Sequence, residues 1–119
     1  MEIKFRKCKI CGNIVWCFND KSISCCNQEM ELIKENSVDA SFEKHVPEYE
    51  INDNKITIKV NHVMETNHYI KWIMMVSENT IDYKEFNPGD EILVTFKYNG
   101  NAKIYSYCNI HSLWMNEVK

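Results

Sequence analysis

The 119-residue sequence predicts a mainly β protein in two parts, a small metal-stabilised amino-terminal segment followed by an antiparallel β-sandwich. Three observations point there. Five of the six cysteines crowd into residues 1–35, short alternating apolar runs separated by turn signals fill the remainder, and no stretch carries a convincing amphipathic helical period. Hydrophobic residues make up 45% and charged residues 26%, a globular composition that excludes wholesale disorder.

The first segment, residues 1–36, contains Cys8, Cys11, Cys17, Cys25 and Cys26 and no histidine. Residues 37–119 contain all four histidines and Cys108, and the polar stretch Glu35–Asp39 reads as the linker. In the second segment, Ile56, Ile58 and Val60 alternate with Thr57 and Lys59 as a half-buried strand should. From Tyr69 to Val76, Ile70, Trp72, Met74 and Val76 fall on one face and Ile73 and Met75 on the other, a strand buried on both sides. Asn87-Pro88-Gly89-Asp90 is a turn, and Ile92, Val94, Phe96 and Tyr98 follow in step. Asn99-Gly100 then reads as a type I′ hairpin turn into Lys103–Tyr107.

Charge and patterning narrow the function classes. The net charge of −3 with no basic tract argues against nucleic acid as a partner. No apolar run approaches the roughly 20 residues of a membrane span, and residues 1–6 lack the apolar core of a secretory signal. The expected compartment is therefore the cytoplasm, where thiols stay reduced and a cysteine cluster holds metal rather than forming disulfides. A disulfide framework is the alternative. A 26-residue segment buries too little surface to fold alone, and a metal on four thiolates would supply the missing free energy.

Cys8 and Cys11 have the two-residue spacing of a metal knuckle, with Gly12 freeing the turn that follows. The adjacent Cys25-Cys26 pair departs from a zinc ribbon, and four thiolates suit zinc and iron alike. Cys17, between the pairs, reads as a buried thiol acting as a small apolar group. The second constellation is His45, His62, His68 and His111 with Cys108, all at strand ends or in loops. Four imidazoles and one thiolate exceed tetrahedral zinc and suit a five-coordinate iron with one open position; a set of separate structural histidines is the plain alternative.

The ordered motifs Cys8-Lys9-Ile10-Cys11-Gly12-Asn13-Ile14-Val15, Cys25-Cys26, Glu43-Lys44-His45-Val46-Pro47, His68-Tyr69-Ile70-Lys71-Trp72-Ile73 and Cys108-Asn109-Ile110-His111-Ser112-Leu113-Trp114 resemble desulfoferrodoxin, the two-iron superoxide reductase, over essentially the whole chain. The resemblance implies a desulforedoxin-like iron centre on Cys8, Cys11, Cys25 and Cys26, and an immunoglobulin-like catalytic domain. It also implies a catalytic iron with His45, His62, His68 and His111 equatorial and Cys108 axial. Glu43 would take the sixth position in the oxidised state, and Lys44 would lie near the open site. Further implications are a homodimer, a rubredoxin-like electron donor and a role in oxidative-stress detoxification. The implied reaction adds one electron and two protons to superoxide, giving hydrogen peroxide and ferric iron.

Several positions depart from the family pattern. Asn61 and Val63 flank His62 where prolines are frequent, Asn27 follows the cysteine pair where glycine is common, and Ser112 replaces a usual glycine. None removes a ligand. Two other function classes remain open on sequence: a non-enzymatic electron carrier using the four-cysteine iron, and a zinc-stabilised interaction module.

Overall fold

The computed structural model describes residues 1–119, and nearly every regular element is a β-strand. The chain divides into two compact units, Met1–Lys34 and Glu35–Lys119. No helix is long and apolar enough to cross a membrane.

In the first unit, β1 (Lys4–Lys7) is the centre of a three-stranded antiparallel sheet flanked by β2 (Ile14–Cys17) and β5 (Glu31–Ile33). Ile3, Phe5, Cys8 and Met30 form its few buried apolar side chains. Arg6 is also buried, and its guanidinium donates to the Met30 carbonyl at 3.1 Å and the Asp20 carbonyl at 2.7 Å. A cation used internally on two loop carbonyls marks a unit with too little apolar material to define those loops by packing. A two-residue hairpin joins β3 (Ser24–Cys25) to β4 (Gln28–Glu29) through Cys26 and Asn27, both at positive φ (54° and 60°). That is the backbone a primed hairpin turn requires, and Asn27 is among the non-glycine residues that adopt it most readily. Cys17 differs from the expected buried thiol: it is half-buried, and its Sγ–H donates to the Asn19 carbonyl at 3.2 Å.

The second unit stacks two antiparallel sheets. One has the order β10-β7-β6, from β6 (Glu48–Asn52), β7 (Lys55–Lys59) and β10 (Leu93–Lys97). The other has the order β12-β11-β8-β9, from β8 (Ile70–Ser77), β9 (Ile81–Glu85), β11 (Ala102–Cys108) and β12 (Ser112–Val118). Ile56, Ile58 and Val94 of the first sheet meet Ile73, Met75 and Ile104 of the second in one core. Each fully buried side chain of this size contributes about 1.5–3 kcal/mol, so this core anchors the loops at its ends. Asn36, in the stretch read as linker, is pinned to β12: its side chain accepts from the Met115 amide and donates to the Met115 carbonyl, and its amide donates to the Leu113 carbonyl.

Two sequence expectations are corrected. Asn99-Gly100 does not close a hairpin, since β10 pairs with β7 and β11 pairs with β8 and β12. Gly100 has φ of 91° while Asn99 is not at positive φ, so the link carries the chain from one sheet to the other. Strand β8 also does not keep one alternation throughout. Tyr107 pairs with Trp72 but Cys108 pairs with Ile70, leaving Lys71 as an extra residue in a bulge. The bulge turns Ile70 into the core beside Ile73 and Met75, away from the face of Trp72 and Met74.

Ser112 opens β12 at φ 66°, the left-handed region. A serine tolerates this at a cost that rises with branching at Cβ. Ser112→Val should therefore lower stability by about 1–2 kcal/mol while Ser112→Gly causes no loss. Thermal unfolding of the three metal-free proteins checks this, and equal melting temperatures for the serine and valine forms would contradict it.

Candidate metal centres

Two groups of donor side chains converge, one in each unit. In the first, the sulfurs of Cys8, Cys11, Cys25 and Cys26 all lie within 4.8 Å of one another. The turn Cys8–Cys11 brings its two sulfurs to one side: the Cys11 amide donates to Cys8 Sγ at 3.5 Å, the Gly12 amide to the Cys8 carbonyl at 2.9 Å, and Gly12 continues at φ 78°. The primed hairpin delivers Cys25 and Cys26 opposite, with Cys25 Sγ 3.7 Å from Cys11 Sγ. All six cysteines of the chain are free thiols. The Cys11 amide lowers the Cys8 thiol to about 6, whereas hydrogen bonding to Cys11 and Cys8 pushes Cys26 up to about 12. One thiolate forms readily in this crowd and the last resists, until a cation compensates the accumulated negative charge.

In the second group the donors of His45, His68, Cys108 and His111 lie within 4.8 Å of one another. His62 stands just outside that cluster but completes a cycle of rings. Centroids are 4.8 Å apart for His45 and His62, 4.6 Å for His62 and His68, 5.1 Å for His68 and His111, and 4.9 Å for His111 and His45. Successive rings cross at 72–89°, so they stand edge to face around a common centre.

Two of the rings, His45 and His62, are held by a nearby backbone carbonyl. His45 follows the single 3-10 turn, Phe42–Lys44; its Nδ1 lies 2.6 Å from the Ser41 carbonyl, and Ser106 Oγ donates to its carbonyl at 2.7 Å. That leaves Nε2 facing inward, 3.1 Å from His111 Nδ1. His62 Nδ1 contacts the Val63 carbonyl at 2.5 Å, and its Nε2 lies 3.4 Å from Cys108 Sγ. His68 sits in a tight turn bridged to Glu65, and its buried Nε2 has no hydrogen-bond partner. Cys108 shares the inward face of β11 with Ala102 and Ile104 and is fully buried. Its sulfur accepts the His111 amide at 3.3 Å. An orphaned imidazole nitrogen beside four other donors, in a site with no carboxylate among them, fits a borderline transition-metal cation.

The sequence-predicted residues do not all meet. Glu43 and Lys44 occupy the exposed 3-10 turn that ends at His45, outside both donor clusters. A cavity of about 500 Å³ lined by Glu48, Lys59, His62 and Asp90 touches the second centre through His62.

The desulfoferrodoxin family model matches residues 37–117. The chain is 37% identical over 122 residues to the desulfoferrodoxin of Syntrophotalea carbinolica, spanning 98% of this chain and 97% of that one. This chain belongs to the desulfoferrodoxin family. Among solved structures, the superoxide reductase of Treponema pallidum superposes with a TM-score of 0.78 at 25% identity, covering 98% of this chain and 99% of that one. The superoxide reductase (1Fe-SOR) of Giardia intestinalis superposes with a TM-score of 0.58 at 26% identity, covering 65% of this chain and 98% of its own.

Within the family motifs, the structure gives a supporting role to a residue that sequence reading left without one. Asn109 ties the Cys108 loop to the His68 loop: its Oδ1 accepts the Tyr69 amide at 2.9 Å and its Nδ2 donates to the Asn67 carbonyl at 3.0 Å. These bonds span 40 and 42 residues, so no local signal could have announced them.

Burial holds His45 and His62 below the ordinary value of 6.5, with neighbouring imidazoles adding repulsion against protonation, and burial raises Cys108 above 9.0. The signs fix a stability window for the metal-free protein. Below 6.5 the unfolded chain binds protons that the folded histidines refuse, and above 9.0 the unfolded thiol ionises where the folded one resists. Stability should therefore be lost on either side of that window. Melting temperatures across the range test this, and His62→Gln should flatten the acid limb; a flat acid limb in the parent protein would contradict it.

Proposed function

We propose that the protein is a superoxide reductase, with iron held by His45, His62, His68, His111 and Cys108, and a second iron held by Cys8, Cys11, Cys25 and Cys26. The observation that carries this reading is the cycle of four imidazoles closed over a buried thiol, with an unpartnered His68 Nε2 among them. Ferrous iron bound there would supply the single electron that converts superoxide, with two protons, to hydrogen peroxide.

The chain's own residues define the rest. Burial keeps His45 and His62 neutral, so they add no charge of their own, and one thiolate neutralises only half of a divalent cation. The centre therefore presents one unit of positive charge to a small anion, although the chain as a whole is acidic. Lys44, exposed on the turn that leads into His45, would add to that local field, attract superoxide and offer a proton. Glu43 beside it is the carboxylate suited to close the centre after product leaves. Cys108 contributes electron density from a sulfur steadied by the His111 amide. On the family likeness we extend the reading to a rubredoxin-like donor, a homodimeric assembly and a cytoplasmic setting, the last also favoured by six free thiols. The four-cysteine site would accept zinc as well as iron.

The family model, matched to residues 37–117, supports locating the reaction in the second unit. Cys8→Ser should accordingly abolish metal binding at the first centre while superoxide consumption at the second persists; loss of both would reject that division. Anaerobically iron-loaded protein mixed with a superoxide pulse should yield one peroxide per superoxide consumed. One peroxide per two superoxides would indicate dismutation instead, and no peroxide would reject the reductase reading. Lys44→Ala should slow the bimolecular step and flatten its dependence on ionic strength, and an unchanged salt slope would remove Lys44 from steering. Cys108→Ser should retain the fold and lose turnover.

A further inference from the structure

We infer that Trp114 is a positioning residue of the histidine–cysteine centre, setting the ring plane of His45 and the backbone of His111 through a single indole. The inference rests on the reading that this centre binds iron. Trp114 lies on β12 opposite Ser106 of β11, and so on the same inward face as Cys108. It is fully buried, and its ring stacks on His45 with centroids 4.7 Å apart and planes 25° from parallel. On another side the exposed Phe42 meets it edge-on at 5.2 Å. The indole Nε1–H donates to the His111 carbonyl at 2.9 Å.

Each contact constrains a freedom that the other anchors leave. The Ser41 carbonyl holds His45 Nδ1, but one hydrogen bond at one ring atom leaves the ring free to swing about that point. A near-parallel aromatic face 4.7 Å away removes the swing and fixes where Nε2 aims. His111 follows the exposed Ile110 and precedes Ser112 at φ 66°, so its backbone stands in a strained turn without a regular strand bond. The indole N–H captures the carbonyl of that turn. One side chain thus sets both members of the His45 Nε2 and His111 Nδ1 pair, which stand 3.1 Å apart. Core packing alone would require a buried apolar surface here. It would not require an N–H aimed at the carbonyl of one histidine and a ring laid flat on another.

The test uses the full chain as wild type, Trp114→Phe and Trp114→Leu, with Val118→Ala, paired with Ala102 at the end of β11 opposite Cys108, as a control for lost core packing. Each protein is titrated anaerobically with ferrous iron against a competing chelator. The thiolate-to-iron charge-transfer band is then recorded after oxidation. Residues that orient metal ligands typically change affinity by 10–100-fold. Trp114→Leu should weaken iron binding at this centre by about tenfold or more and displace the band. Trp114→Phe, which keeps a ring but loses the N–H, should fall between it and wild type. Val118→Ala should lower the melting temperature with affinity and band unchanged. Wild-type affinity and band in both Trp114 variants, with only a lowered melting temperature, would overturn the inference. If the leucine form does not fold, the phenylalanine form decides alone, and a wild-type band and affinity there overturn it. Wild-type protein that binds iron yet reduces no superoxide would defeat the reductase reading separately, leaving the affinity comparison to stand.

Discussion

Lone pairs aimed at one another are the constraint on which the second unit depends. Four imidazoles and a buried thiol turn their donor atoms inward, where His45 Nε2 and His111 Nδ1 meet at 3.1 Å and His62 Nε2 lies 3.4 Å from Cys108 Sγ. His68 Nε2 is buried with no partner at all. An unsatisfied buried polar atom costs about 1–3 kcal/mol, so a fold would not gather these groups for stability. The sandwich core and the loop anchors hold them in place, and a cation is the one species that satisfies all of them together. This is why the same burial that lowers His45 and His62 and raises Cys108 works in opposite senses toward metal. It presents imidazole in its ligating form, but leaves the thiol protonated until the cation compensates the charge.

The two centres solve their local geometry with the same turn, although one is built from thiols and the other from imidazoles. Cys8 Sγ accepts the amide of Cys11, and Cys108 Sγ accepts the amide of His111, both three residues on. The next residue then takes positive φ in each case, Gly12 at 78° and Ser112 at 66°. The amide steadies the sulfur as negative charge gathers on it, and the left-handed residue turns the chain away so that the second donor stays beside the first. Glycine does this without strain. Serine does it in the second unit because β12 begins there, and pairing along Ser112–Val118 holds the residue in place.

Much of this was legible in the sequence because it is local. Ile56, Ile58 and Val60 alternate and are buried as alternation demands, the first two defining the inner face of β7. The clustering of cysteines before residue 27 and of histidines after it separated two metal-binding regions from composition alone. What escaped depends on which strand lies beside which. Asn99-Gly100 has the residues of a primed turn, but Val94 and Ile104 share one core from different sheets, so the chain crosses over instead. The primed geometry appears at Cys26-Asn27, where the need to bring two adjacent thiols to a partner pair overrides ordinary turn preference. The Lys71 bulge, which gives Ile70 to the core, is visible only against β11. Asn109 and Trp114 gain their roles from neighbours up to 69 residues distant from Trp114 in sequence, as with the stack on His45.

Net charge is a poor guide to what such a centre attracts. The chain carries −3 overall, which by itself would repel a small anion. Screening reduces that distant field within about 8–10 Å at ordinary salt, so an anion close to the second centre responds to the nearest charges. With iron bound there as proposed, those would be a partly neutralised cation and Lys44, while the ligating imidazoles would add none. The choice of four neutral ligands with one anionic one is therefore an electrostatic choice as much as a geometric one. Replacing two imidazoles by thiolates, in the manner of the first centre, would reverse the sign of the site and turn the anion away. The first centre, were a divalent metal held by its four thiolates, would already be in that position, a charge that suits holding a cation rather than meeting superoxide.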